Sequence, residues 1–106
     1  MATMNTGRNK VATEMQVIRE TVRDEPYDYV PLGRYVVRAV GVCGGRPTFK
    51  YTRIEVAGAL ERLAAGESLE SIVADYGGRV PREAVQEAVD IAMRRFLSRL
   101  PELTTA

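Results

Sequence analysis

Between Thr52 and Pro101 the chain is cut by glycine and proline into three short helical patterns, and this punctuation restricts the segment to a compact tri-helical core. Thr52-Arg53-Ile54-Glu55 has the form of a capping box, in which Thr52 and Glu55 satisfy each other's backbone amides. Tyr51 before it and Val56 after it are spaced as a hydrophobic staple. The first helix is predicted to run to about Ala65, to bury Val56, Leu60, Leu63 and Ala64, and to end at Gly66. Ser68 is a second N-cap, followed by an apolar stripe of Leu69, Ile72, Val73 and Tyr76 that closes at Gly77-Gly78. Pro81 suits the first position of a third helix. That helix is predicted to bury Val85, Ala88, Val89, Ala92, Phe96 and Leu97 and to stop near Leu100, because Pro101 cannot continue it.

Upstream, residues 34–40 are rich in β-branched side chains and predict a strand with Tyr35, Val37 and Ala39 on one side and Val36, Arg38 and Val40 on the other. Gly41 and Gly44-Gly45 mark a turn back through Thr48-Phe49, giving a small β-arm. Val11, Met15, Ile18 and Val22 recur at helical spacing and predict an N-terminal helix over about 11–23, ended by Pro26. The segment from Tyr27 to Gly33 reads as a connection. The expected fold is therefore mainly α: a homeodomain-like three-helix helix-turn-helix core with a short β-rich N-terminal arm and an extra N-terminal helix. Residues 1–33 form an N-terminal extension, and 34–106 the β-arm plus helix-turn-helix domain.

Composition supports one ordinary globular domain, with 45% hydrophobic and 27% charged residues over 106 positions. The single Cys43 allows no internal disulfide, and the polar first ten residues lack the apolar stretch of a signal peptide, so the expected location is the cytoplasm. The chain contains no histidine, which removes the commonest general base and metal ligand. Gly41-Val-Cys-Gly-Gly-Arg-Pro lacks the Gly-Lys-Ser/Thr ending of a phosphate loop. These features predict a non-enzymatic protein with no cofactor and no metal site.

The net charge of +1 hides an asymmetry: residues 1–53 hold nine basic and five acidic side chains, while residues 54–106 hold six and nine. The basic half is the expected face for an anionic partner. If the second and third helices act as a helix-turn-helix, Arg46, Lys50, Arg53, Arg79 and Arg82 are the candidate phosphate contacts, and Gln86 is the candidate base reader. Glu83, Glu87 and Asp90 lie beside them and oppose phosphate.

The chain also resembles a family of known proteins, domain-of-unknown-function family 433, through three runs in order. These are Gly41-Val-Cys-Gly-Gly-Arg-Pro-Thr-Phe-Lys50, Thr52-Arg53-Ile54, and Leu63-Ala-Ala-Gly-Glu-Ser-Leu-Glu-Ser-Ile72. The resemblance covers roughly residues 34–99. It implies a homeodomain-like helix-turn-helix fold, an antitoxin role and a nuclease-like toxin as partner. Many members carry glycine where this chain has Tyr51, which predicts a different turn before the first helix here. Two functions follow. One is a DNA-binding regulator or antitoxin working on double-stranded DNA as a homodimer; the alternative is a tri-helical protein-interaction module without DNA readout.

Overall fold

The computed structural model describes residues 16–104. A four-stranded antiparallel meander precedes three helices: β1 (Ile18–Val22), β2 (Glu25–Pro31), β3 (Val36–Ala39), β4 (Pro47–Phe49), α1 (Val56–Ala64), α2 (Leu69–Asp75) and α3 (Arg82–Ser98). The architecture is α+β, which corrects the mainly α expectation. No N-terminal helix occupies residues 18–23: that stretch is β1 and the start of a hairpin turn, while residues 11–15 of the expected helix lie outside the described residues. The physical reason is that Ile18 and Val22 are four apart. That spacing places them on one face of a strand as well as on one face of a helix. The β-branched run Val17, Ile18, Thr21 and Val22 and the pairing to β2 settle it as a strand.

The segment expected as a connection is likewise β2. It pairs with β1 from Ile18↔Tyr29 to Val22↔Glu25 and with β3 from Tyr29↔Ala39 to Pro31↔Val37. Arg23 and Asp24 form the two-residue loop between β1 and β2, both at positive φ (53° and 65°). That is the mirror-image turn whose twist matches a hairpin. The β3–β4 hairpin is as expected, with Val36↔Phe49 and Val37↔Thr48 paired around a short 3-10 turn at Cys43–Gly45.

The two faces of the sheet bury different partners. Val36 and Phe49 face the helices and join Val56, Ala59, Ile72, Val80, Ala84, Val85 and Ala88 in the main core. Tyr29, Val37 and Ala39 are buried on the opposite face, with Tyr27 and Val42 against them. The strand faces expected for residues 36–39 are thus correct.

Helix boundaries follow the glycine punctuation, but the first start signal is different in kind. Ser68 caps α2 by accepting from the Ser71 amide at 3.0 Å. Thr52 caps no helix: its hydroxyl donates to the Phe49 carbonyl (2.7 Å) and accepts from the Ile54 amide (3.0 Å), bracing the turn from β4. α1 begins only at Val56, with Glu55 as an N-cap that makes no side-chain cap bond. Ala92, Phe96 and Leu97, expected in the core, are exposed, because the body of the protein ends under the first half of α3, and Ala64, also expected there, is exposed at the C-terminal end of α1.

Glu87 ties the two layers together. From the second turn of α3 its carboxylate accepts three backbone amides in the β2–β3 turn: Arg34 and Tyr35 at 2.7 Å and Val36 at 3.1 Å. Gly33 makes room for it, since a Cβ there would lie 2.6 Å from the carboxyl carbon. Glu87 is therefore an internal anchor, not the phosphate-repelling surface charge expected from its place on α3. Among the described residues no helix is long and apolar enough to cross a membrane.

Candidate functional site

One concave surface lies where the β1–β2 hairpin meets the turn after β4. Tyr51 is the hinge of that contact. Its φ is +68°, a conformation that disfavours a side chain with a Cβ. The turn thus keeps the left-handed geometry that glycine adopts easily, which corrects the expectation of a different turn.

Side chains from the hairpin hold Tyr51 in place. Its amide donates to the Tyr27 hydroxyl at 2.8 Å, and its own hydroxyl donates to Glu20 at 2.7 Å. Glu20 also accepts from the Tyr29 hydroxyl at 2.6 Å, and the Lys50 ammonium stands 4.0 Å away. Lys50 lies over the rings of Tyr29 and Tyr51, 4.8 and 5.0 Å from their centroids. Tyr27 packs at 5.2 Å against both of the other tyrosines.

These contacts set the local titration. The Tyr29 and Tyr51 hydroxyls, aided by the Lys50 charge, hold the Glu20 carboxyl below its ordinary value, and the bond to Glu20 pushes the Tyr51 phenol up. Burial raises the Tyr27 phenol, and the Tyr29 hydroxyl chiefly raises Lys50. A carboxyl lowered in the folded state stabilises it above the unfolded value of 4.5, and that contribution is lost as pH falls through the lowered value. Acidification below about pH 4.5 should therefore loosen the hairpin from Tyr51, seen as a change in the tyrosine near-ultraviolet circular dichroism. Glu20→Gln should remove that transition; a transition unchanged in Glu20→Gln would assign it to another carboxylate.

Beside the tyrosines opens a groove of about 650 Å³ lined by Arg23, Lys50, Arg53 and Arg79, with Tyr27, Tyr51, Val42 and Ile54 as its apolar walls. A second concavity of about 370 Å³ shares Lys50, Tyr51 and Arg79 and adds Arg34, whose guanidinium lies 5.4 Å from the Tyr35 ring. The two form one basic, aromatic-lined surface. Among the described residues Arg23, Arg34, Arg53 and Arg79 make no salt bridge.

Of the six residues singled out from sequence, the structure brings Lys50, Arg53 and Arg79 together here. The other three lie elsewhere. Arg46 makes a two-pronged pair with Glu55 (2.9 and 3.0 Å), which lowers the Glu55 carboxyl, and it lines a separate hollow with Arg38 and Arg95. Arg82 is paired with Glu70 at 3.0 Å. Gln86 is exposed on α3, with exposed Glu83 and Asp90 on the same helix. Sequence reasoning missed Arg23, Arg34, Tyr27 and Tyr51. The first and third depend on the β1–β2 hairpin, whose sequence pattern predicts a helix and a connection instead. Arg34 reaches the surface only because Glu87 fixes the turn that carries it.

Comparison with known proteins gives one assignment. The model of a family described as protein of unknown function (DUF433) matches residues 36–92, more than half of the chain. The chain belongs to this family. Comparison with curated proteins and with solved structures finds no match. The matched segment begins at β3, so the β1–β2 hairpin lies outside it. Within this DUF433 chain the groove joins the two parts: Arg53, Lys50 and Arg79 belong to the matched segment, Arg23 and Tyr27 to the hairpin.

Proposed function

We propose that this DUF433 protein is a non-catalytic nucleic-acid-binding protein that holds the backbone of double-stranded DNA along the basic groove. The observation that supports this is convergence. Arg23, Arg34, Lys50, Arg53 and Arg79 come from four separate turns, Lys50 and Arg53 sharing the one after β4, and meet on one surface, four of the five without an ion-pair partner among the described residues. Unpaired guanidinium groups on a concave surface suit phosphate, whose oxygens they can engage two at a time. The tyrosines give the groove rigid, partly apolar walls that keep those cations in place.

The contribution of α3 to base reading is smaller in this proposal than a helix-turn-helix scheme requires. Arg82 is already paired, and Gln86 is flanked by acidic groups. An antitoxin role beside a nuclease-like toxin, implied by the family resemblance, fits a protein that grips its own operator through this groove. The alternative, a protein-interaction module, is favoured by a different surface, the exposed apolar end of α3.

The test is a titration of the DNA upstream of the coding sequence, and of the same bases shuffled, at several salt concentrations. Each phosphate contact contributes about −0.9 to the slope of log affinity against log salt, so five cations predict a slope of roughly −4.5. Preference for the upstream DNA supports a regulator. Absence of binding to either DNA at low salt removes the nucleic-acid reading.

A further inference from the structure

We infer that the cleft between the β3–β4 hairpin and the middle of α3 binds a small organic carboxylate that carries a phenyl-sized apolar group. Two adjoining hollows make up this cleft. The outer one, of about 400 Å³, carries Arg38 of β3, Arg46 of the turn before β4 and Arg95 of α3. The inner one, of about 160 Å³, is lined by apolar side chains alone and reaches the buried Val36, Val56 and Ala88. Leu32, Pro47 and Ile91 line both, so the cations stand at the mouth of an apolar recess.

The sequence places cation and recess side by side through register. Arg38 is paired with Pro47, and Val36 with Phe49 one step along, so all four share the sheet face turned to the helices. Ile91 and Arg95 are four apart and lie on one face of α3. Each layer therefore offers an apolar residue deeper in the cleft and an arginine further out.

The three arginines are not equally committed. Arg46 donates its Nε and one terminal nitrogen to Glu55. Arg38 donates its Nε to the Gly45 carbonyl at 2.6 Å, which orients the guanidinium and leaves its two terminal nitrogens for a ligand. Among the described residues neither Arg38 nor Arg95 makes a salt bridge. Two nitrogens of one guanidinium match the two oxygens of a carboxylate in a plane. The recess sets the other end of the ligand. An apolar cavity of about 150 Å³ stays dry and holds a benzene-sized molecule. An apolar group entering it gains dispersion contacts without displacing bound water. None of these residues lines the basic groove, so the inference stands apart from the nucleic-acid reading.

Phenylacetate is the probe, titrated into the full chain and followed by the methyl resonances of Leu32, Leu60 and Ile91. It should bind with a dissociation constant on the order of hundreds of micromolar, as suits a ligand of about ten heavy atoms. Phenylacetamide, which lacks the charge, and acetate, which lacks the ring, should bind at least about tenfold more weakly. Arg95→Gln should weaken phenylacetate about tenfold. Ala92 is exposed and lines the recess, so Ala92→Leu should fill it from the rim and weaken binding likewise. Tyrosine circular dichroism should be unchanged in both variants. Absence of phenylacetate binding at millimolar concentration overturns the inference. So does equal binding of acetate or of phenylacetamide, and so does binding that neither variant weakens. Tighter binding of phenyl phosphate than of phenylacetate overturns the carboxylate assignment.

Discussion

Replacing Glu87 with alanine should destabilise the protein by about 3 kcal/mol, an unusually large loss for a charged helix residue. Its carboxylate is the acceptor for three consecutive backbone amides, those of Arg34, Tyr35 and Val36. Hydrogen bonds to a charged group contribute about 1.5–3 kcal/mol each, and the amides left behind in a half-buried turn lose their partner. The full sum is not expected, because the Arg34 amide is exposed and water can replace part of the interaction. Gly33→Ala should act in the same direction by forcing the carboxylate away from the turn. Urea denaturation at neutral pH measures both. A Glu87→Ala midpoint equal to that of the wild type would mean that the turn is held by its own backbone bonds from Leu32 and Gly33 to Val36 alone. The affinity of the groove should fall with stability in this variant, since Arg34 is carried by the same turn.

The helical half was legible in sequence because glycine, proline and a serine cap act locally. Gly66, Gly77-Gly78 and Ser68 end or begin helices whatever surrounds them. The sheet was half legible. Residues 36–39 announce a strand by composition, and the glycine-rich turn brings β4 back onto it. β1 and β2 were not legible, because a four-residue spacing fits both periods and because Pro26 and Pro31 argue against a strand. They are tolerated because Pro26 stands beside the hairpin turn and Pro31 ends β2. Thr52 shows a second limit. A threonine three residues before a glutamate is a capping box only if the helix starts there. In this chain the hydroxyl braces a turn and Glu55 pairs with Arg46. The groove was legible in its chemistry and not in its membership. Lys50, Arg53 and Arg79 stand out as basic residues in turns, but Arg23 joins them only through a hairpin, and Arg46 and Arg82 are withdrawn by carboxylates distant in sequence.

The same distinction yields the largest expected effect on binding. Reversing two of the unpaired groove arginines, in Arg53→Glu/Arg79→Glu, should weaken DNA binding about a hundredfold or more at low salt and make the salt slope shallower by about two units. Each substitution removes one phosphate contact and sets a carboxylate against the neighbouring phosphates. Both side chains are exposed and make no salt bridge among the described residues, so the fold should be kept; circular dichroism checks this. Arg82→Glu is the informative comparison. Arg82 is basic and exposed at the start of α3, where a helix-turn-helix scheme would use it, yet it is already paired with Glu70. Its reversal should change affinity by no more than about threefold, as for a surface charge outside the binding face. Gln86→Ala separates base reading from backbone holding: a side chain that touched bases would change the preference between upstream and shuffled DNA more than the affinity for either. If Arg82→Glu and Gln86→Ala abolish binding while the double reversal at Arg53 and Arg79 leaves it intact, α3 is the DNA-binding element and the groove is not. If all of them bind as the wild type does, no phosphate is held by either surface, and the basic groove must be assigned to an acidic protein partner instead.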